Sequence, residues 1–286
     1  MANAKIYEMV TDAIIAKLEQ GIVPWRKTWQ AGIAPRSLIS KKPYRGINNF
    51  LLSMAGFESP YWLTFKQVQS KKGAVKKGEK GTVIVFWKWI AKKDENGNKT
   101  DEKIPLLRYF RVWNTDQCEG LKVPEWQTVK PIDFNPIVEA EKVVNEMPQK
   151  PEIVHQGTAA KYSPSTDLVT MPKPERFETP TAYYGTLFHE LAHSTGHKSR
   201  LNRKEIQDNS QFGSATYSLE ELVAEMTTAM VCGTIGIGAE LIDNQAAYIK
   251  GWLSKLKDDK KILVMAGGRA QKASDWILNE TPEKGD

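Results

Sequence analysis

Two histidines four residues apart, with a glutamate beside the first, carry the clearest chemistry in this chain: His189-Glu190-Leu191-Ala192-His193, inside FHELAHSTGH. The chain holds four histidines, and three of them, His189, His193 and His197, fall within nine consecutive residues. On a helix, positions i and i+4 share a face, so His189 and His193 can offer two imidazole nitrogens to one metal ion. Glu190 then projects beside that ion, where a carboxylate can take a proton from water. The five-residue pattern also turns up by chance, and a helix whose histidines merely cap or pack is the plain alternative. The scarcity of histidine elsewhere favours the metal.

A helix must carry the pair. FETPTAYYGTLFHELAHSTGH begins as helices do, with Thr179 as N-cap and Pro180 in the first turn. Tyr184, Leu187, Phe188, Leu191 and Ala192 form the apolar side that seats it, and Gly196 ends it just past the second histidine. His197 comes eight residues after His189, too close for the third histidine of a metzincin, whose motif puts it ten residues on. It is left between orienting a ligand, touching substrate and a structural role. His155 stands alone on an expected strand and is set aside as a ligand.

A catalytic zinc takes three protein ligands and leaves one position for water. The third is sought in SATYSLEELVAEMTTAMVC, where Glu221 and Glu225 are four apart and face one way on a helix. The spacing resembles the gluzincin peptidases, in which a second helix supplies a glutamate ligand followed four residues later by an acid that supports a histidine. The resemblance implies Glu221 as ligand and Glu225 as support, with Glu in place of the commoner Asp. Such support fixes an imidazole's tautomer and orientation. A competing pattern is Ser218-Leu219-Glu220-Glu221, a capping box in which Glu221 only satisfies the helix start and Glu225 becomes the ligand. Tyr217 is near enough in sequence to be considered for steadying an oxyanion. One divalent ion is expected, zinc first, with manganese or another transition metal as alternatives.

The charge is divided unevenly. Residues 1–130 hold 23 Lys and Arg against 12 Asp and Glu, a balance of +11, and the remainder of the chain carries −5. Seven of the nine tryptophans also lie in that first stretch. Such asymmetry points to two domains with different partners, and excess basic charge favours a polyanion, nucleic acid first. No apolar run of about 18 residues exists, so a membrane partner is not expected. The N-terminus lacks a signal peptide's apolar core, and Cys118 and Cys232 lie too far apart in sequence to suggest a disulfide framework. A cytoplasmic protein is the expectation.

In the basic half, TDAIIAKL reads as an amphipathic helix from Thr11, with Thr11 as its cap and Gly21 as its stop. A second short helix is expected from about Phe65 to Lys72. TVIVFWKW and LLRYFRVWN read as strands joined through an Asn96-Gly97 turn. Rings interleaved with cations suit single-stranded nucleic acid, because rings stack on unpaired bases and cations follow the phosphates. The candidates are Trp25, Arg26, Lys27, Trp29, Tyr44, Arg45, Lys76, Lys77, Lys80, Trp87, Lys88 and Trp89. Alternation in FWKW must bury one face, so about half of the aromatics are expected in the core. The lysine run 71–80 has a second reading as a solvated loop.

The order TDAIIAKLEQGIVPWRKTW, PYRGINNFLL, YWLTFKQV, VKKGEKGTVIVFWKW and RYFRVWNTDQCEGL, across about residues 5–121, resembles the N-terminal domain of ArdC-type plasmid antirestriction proteins. That domain is also similar to part of conjugative-plasmid primases. YYGTLFHELAHSTGHKSRL followed by YSLEELVAEM resembles the zincin-like metallopeptidase domain attached to the same family, over about residues 140–280. The resemblance implies an α+β chain of two domains: a single-stranded-DNA-binding domain at 1–125 and a gluzincin-like metallopeptidase domain at 139–286, joined by a proline-punctuated linker at 126–138. It further implies protection of incoming plasmid DNA during conjugation, with single-stranded DNA as partner and a protein substrate or the restriction machinery as a second. An active metalloprotease that reaches DNA-associated proteins is the alternative.

Overall fold

Helix α1 (Ala2–Glu19) buries Ile6, Val10, Ile14 and Leu18 along one stripe at four-residue spacing. The helix therefore begins well before Thr11, which lies fully buried in mid-helix and not at its start. The stripe continues upstream of the supposed cap, and periodic burial outweighs a single capping signal. In this computed structural model, the described residues are 2–20, 34–93, 99–125, 136–207, 215–237 and 245–281. They divide into two compact units, Met1–Ala16 with Ala34–Trp126, and Lys17–Ile33 with Gln127–Asp286.

The first unit continues with β1 (Arg36–Ser37), α2 (Ile47–Ser53), β2 (Tyr61–Thr64), α3 (Phe65–Ser70), β3 (Ala74–Val75), β4 (Thr82–Lys93), β5 (Lys99–Asn114) and β6 (Cys118–Glu119). Four of these form a sheet in the order β1-β2-β5-β4, and β3 pairs with β6 separately. The expected hairpin is the sheet's longest pairing, with Thr82 opposite Val112 and Ile90 opposite Ile104. The Asn96-Gly97 turn lies outside the described residues. Around Trp62, a cluster of Leu52 and Val112 forms against Tyr44, Phe57 and Ile84. A second cluster forms around Leu63, Val68 and Cys118. Thr64 starts α3 through a reciprocal capping box with Gln67, close to the expected start. Helix α2 was not legible as a helix in PYRGINNFLL. It docks on β4, where Asn48 donates to the Val85 carbonyl at 2.7 Å and accepts from the Val85 N–H at 2.8 Å. Those two bonds occupy backbone groups on an edge strand that would otherwise invite another chain.

The second unit comprises α4 (Pro136–Glu146), β7 (Glu152–His155), β8 (Lys161–Ser163), β9 (Leu168–Met171), α5 (Pro180–Ser194), α6 (Lys204–Gln207), α7 (Ala215–Thr234), α8 (Gln245–Asp258) and α9 (Ile262–Ile277). Of the expected linker, residues 126–135 lie outside the described residues, and 136–138 form the start of α4. The small sheet runs β7-β9-β8, with β7 parallel and β8 antiparallel to β9. Helix α7 packs against both α5 and α9 and buries Leu222, Val223, Ala224, Met226 and Val231. Phe188, Leu191 and Ala192 of α5 join Val169, Met171, Val231 and Cys232 in the core. Among the described residues, no helix is long and apolar enough to cross a membrane.

Candidate functional site

Helix α5 is started by Thr179, whose hydroxyl accepts from the Ala182 N–H at 3.1 Å, with Pro180 in the first turn. Its apolar side is fully buried, which turns His189 and His193 toward α7 as a pair. Their Nε2 atoms lie 3.1 Å apart. Glu221 meets them from α7, with one carboxylate oxygen 3.4 Å from His193 Nε2 and the other 3.7 Å from His189 Nε2. One ligand atom from each of His189, His193 and Glu221 lies within 4.8 Å of the others, the spacing of groups that can share one cation.

The capping-box alternative does not survive the fold. Helix α7 starts at Ala215, so Ser218 is already inside the helix and Glu221 is not needed to begin it. Glu225 sits half-buried one turn beyond Glu221. The acid that reaches His193 from behind is Glu220, whose Oε1 lies 3.3 Å from Nδ1. Sequence reasoning missed Glu220, because i and i+4 spacing singles out Glu221 and Glu225 while Glu220 points along a different face of α7. Arg203 was missed as well. It grips Glu220 through Nε at 2.8 Å and Nη2 at 2.6 Å.

The electrostatics suit a cation. Burial disfavours a charged His193, yet Glu220 and Glu221 outweigh it and raise the imidazole to about 10. Burial likewise works to raise the Glu221 carboxyl, but His189 and His193 overcome it and hold that group well below the usual carboxylate range. Two carboxylates thus converge on one imidazole, and positive charge placed between His189, His193 and Glu221 is stabilised. Glu190 is 9% exposed and, among the described residues, makes no hydrogen bond or ion pair, so its carboxylate is not committed elsewhere.

The remaining histidines belong to other contacts. His197 Nδ1 lies 2.8 Å from Ser199 Oγ and 4.0 Å from Asp167, beside the Asp167–Arg200 pair. His155 meets the Tyr183 hydroxyl at 2.9 Å.

The nucleic-acid candidates scatter. Trp25, Arg26, Lys27 and Trp29 lie outside the described residues. Trp87, Lys88 and Trp89 are on β4, and their side chains are not among those described. Tyr44 packs against the Trp62 cluster, and burial raises its phenol to about 12. Arg45 is half-buried, Lys77 and Lys80 are exposed, and the exposed Lys76 donates to the Asp116 carbonyl at 2.8 Å. The clearest exposed aromatic surface is one not singled out from sequence. Phe86 and Phe110 meet edge to face with centroids 6.4 Å apart and are 47% and 45% exposed. Phe86 pairs with the exposed Arg108 and Ile84 with Phe110, so both rings and the guanidinium share one face of the hairpin. The signal available in sequence was the alternation in LLRYFRV, which the tryptophans of FWKW overshadowed.

Residues 4–113 match the family model of the N-terminal domain of anti-restriction factor ArdC, and residues 138–269 match that of a zincin-like metallopeptidase. The metal-free crystal structure of the antirestriction ArdC protein from the R388 plasmid is 36% identical, with a TM-score of 0.73, over 96% of this chain and 99% of that one. This chain belongs to the ArdC antirestriction family. The Mn(II)-bound structure of the R388 ArdC protein gives a TM-score of 0.72 at 35% identity, over 96% and 97% of the two chains. A Sinorhizobium fredii protein designated y4eC is 35% identical over 95% of this chain and 91% of its own length. A DNA primase TraC from Escherichia coli is 33% identical over 95% of this chain, which spans only 20% of that primase. Within the ArdC family, then, the chain combines an ArdC-type N-terminal domain with a zincin-like domain.

Proposed function

We propose that this ArdC-family chain binds single-stranded DNA through its first unit, protects incoming plasmid DNA, and holds one divalent metal ion on His189, His193 and Glu221 of its second. The observation that carries the metal reading is the convergence of those three ligand atoms from two helices, each helix anchored by a buried apolar face. Two imidazole nitrogens and a carboxylate suit zinc or manganese alike, and the Mn(II)-bound ArdC relative supports the latter. Glu225, one turn from Glu221, is assigned to support of the centre. On the DNA side, the Phe86–Phe110 pair with Arg108 supports stacking of unpaired bases beside a cation. Lys77 and Lys80 add exposed positive charge for phosphates.

A hydrolytic reading is favoured by one specific observation, the uncommitted carboxylate of Glu190 immediately after His189. A divalent ion at the centre would polarise a carbonyl and acidify water. Glu190 would then accept the water's proton and return it to a departing amine.

The test compares wild type with Glu190→Ala and His193→Ala in three measurements: metal content, cleavage of DNA-associated proteins, and protection of DNA from restriction. Glu190→Ala is expected to keep one ion per chain. If cleavage is seen in wild type and lost in Glu190→Ala, the chain is a protease. If protection survives in Glu190→Ala with no cleavage in either, it acts by occupying DNA. A mobility shift on single-stranded DNA that does not weaken with salt would sink the DNA reading, since phosphate contacts release counterions.

A further inference from the structure

The nitrogen of His193 that faces away from Glu221 is itself held, and the group that holds it is clamped in turn. We propose that Arg203 and Glu220 form a buried clamp that sets the His193 imidazole in the tautomer a metal ion requires; the inference rests on the metal reading above. Glu220 lies one residue before Glu221 on α7, and its carboxylate is turned to the back of α5. There the Arg203 guanidinium grips it with a two-pronged fork, Nε to one oxygen at 2.8 Å and Nη2 to the other at 2.6 Å. The side chains of Arg203 and Glu220 are 6% and 4% exposed. Both oxygens of the Glu220 carboxylate accept from the guanidinium, so this group faces His193 as a hydrogen-bond acceptor. His193 therefore presents Nδ1–H to Glu220, so the neutral ring that a metal ion would bind carries its lone pair on Nε2, the atom 3.1 Å from His189 Nε2 and 3.4 Å from Glu221.

The path that brings Arg203 there is built into the residues after the histidine motif. Leu201 N–H donates to the Thr195 carbonyl and Arg203 N–H to the Gly196 carbonyl, both at 2.9 Å, while Asn202 adopts a positive φ of 49°. The chain thereby folds back under the end of α5. Gly196 makes room: a Cβ there would lie 2.5 Å from Ile206 Cγ1 and 3.1 Å from Arg203 Nη2. The same guanidinium also donates to the Ala192 carbonyl at 2.9 Å and to the Thr195 hydroxyl at 2.6 Å. One cation thus ties the last turn of the helix bearing both histidines to the acid that orients one of them. Arg203 and Glu220 are positioning residues; neither needs to touch the ion.

A plain structural staple is the competing account, and metal binding separates the two. Mn(II) is titrated calorimetrically into the full chain, with thermal unfolding of the metal-free protein measured alongside. Arg203→Met and Glu220→Gln are each expected to weaken Mn(II) binding by about 10- to 100-fold at unchanged stoichiometry. The double variant should be no weaker than the worse single one, because both break the same chain of contacts. Arg203→Lys keeps the charge but loses the fork, and its Kd should fall between those of wild type and Arg203→Met. Should Arg203→Met fail to fold, Arg203→Lys and Glu220→Gln carry the test. Asp167→Asn, which releases Arg200 in the same segment after α5, should lower the melting temperature and leave the Kd unchanged. The clamp is refuted if the Arg203 and Glu220 variants lose thermal stability yet bind Mn(II) as wild type does, or if their effects on Kd simply add. His193→Ala is the control for the centre. Unchanged Mn(II) binding there would remove the metal centre and the clamp with it, whereas loss there beside full binding by Arg203→Met removes the clamp alone.

Discussion

The two units of this protein carry their chemistry in opposite ways. In the second, a few side chains from α5 and α7 converge within 4.8 Å, backed by buried charge and an apolar core. In the first, the candidate chemistry is a surface: two half-exposed rings in contact, an arginine on the same face opposite one of them, and lysines with no single focus. A site that must hold fixed distances leaves a short spacing pattern in the sequence, because helix geometry ties the distances to i and i+4. A surface that receives a flexible polyanion needs only rings and charge somewhere on one face. It therefore leaves a compositional bias and little else. That contrast explains why two histidines four residues apart pointed to the candidate metal centre, while twelve candidates for nucleic acid did not include Phe86, Arg108 or Phe110.

The contrast can be broken outright at the metal centre. His189→Ala and Glu221→Ala should each remove stoichiometric Mn(II) binding, measured by calorimetry, while leaving the affinity for single-stranded DNA untouched. Joint loss of both activities would show that the units are not chemically separate.

A smaller effect tests whether the centre depends on its core. Phe188 is fully buried one residue before His189, and Phe188→Ala should cost about 3–5 kcal/mol in denaturant unfolding. A cost under about 1 kcal/mol would mean that the helix is seated by something other than its apolar side.

On the surface side, Phe86→Ala and Phe110→Ala should each weaken binding of a single-stranded oligonucleotide by about 1–3 kcal/mol, with little change in melting temperature. If stability falls and affinity does not, the ring pair is a packing feature and the DNA face lies elsewhere. Thr179→Ala, which removes the α5 cap, should cost about 1 kcal/mol, read from the shift in unfolding midpoint.

The subtlest prediction concerns pH. Burial acts to raise the Asp167 carboxyl, but hydrogen bonds from Arg200 and Tyr162, with the Arg200 charge, outweigh it and hold the group below its ordinary value of 3.8. A carboxyl whose folded-state pKa is depressed adds stability above its unfolded-state pKa, and that stability is lost as pH falls through the folded-state value. The stability gap between wild type and Asp167→Asn should therefore be full at pH 6 and should shrink as pH drops below about 4. A gap that stays constant down to pH 2 would show that the pair acts through packing and not through charge.

Most of the element order could be read directly. The β4–β5 pairing, the Thr179 cap and the start of α3 all follow local rules of period, capping and turn chemistry. The misses share a cause. Thr11 carries a capping residue's chemistry, but the apolar stripe of α1 runs past it, and burial along 18 residues outweighs one side-chain bond. Helix α2 is only seven residues long and is held by Asn48 against β4, a partner 37 positions away that no local pattern contains.

The sequence by itself determined the His189–His193 pair, the helix that presents it and the uneven partition of charge, because each is set within a few residues by helical geometry or by composition. Tertiary structure decided which neighbouring glutamates meet which histidine nitrogens. Glu220, Glu221 and Glu225 share one helix, and only the packing of α7 against α5, with Arg203 returned beneath it, assigns Glu221 to the histidine Nε2 atoms and Glu220 to His193 Nδ1. Spacing along a helix gives the direction in which a side chain points. What it meets there depends on the element packed opposite.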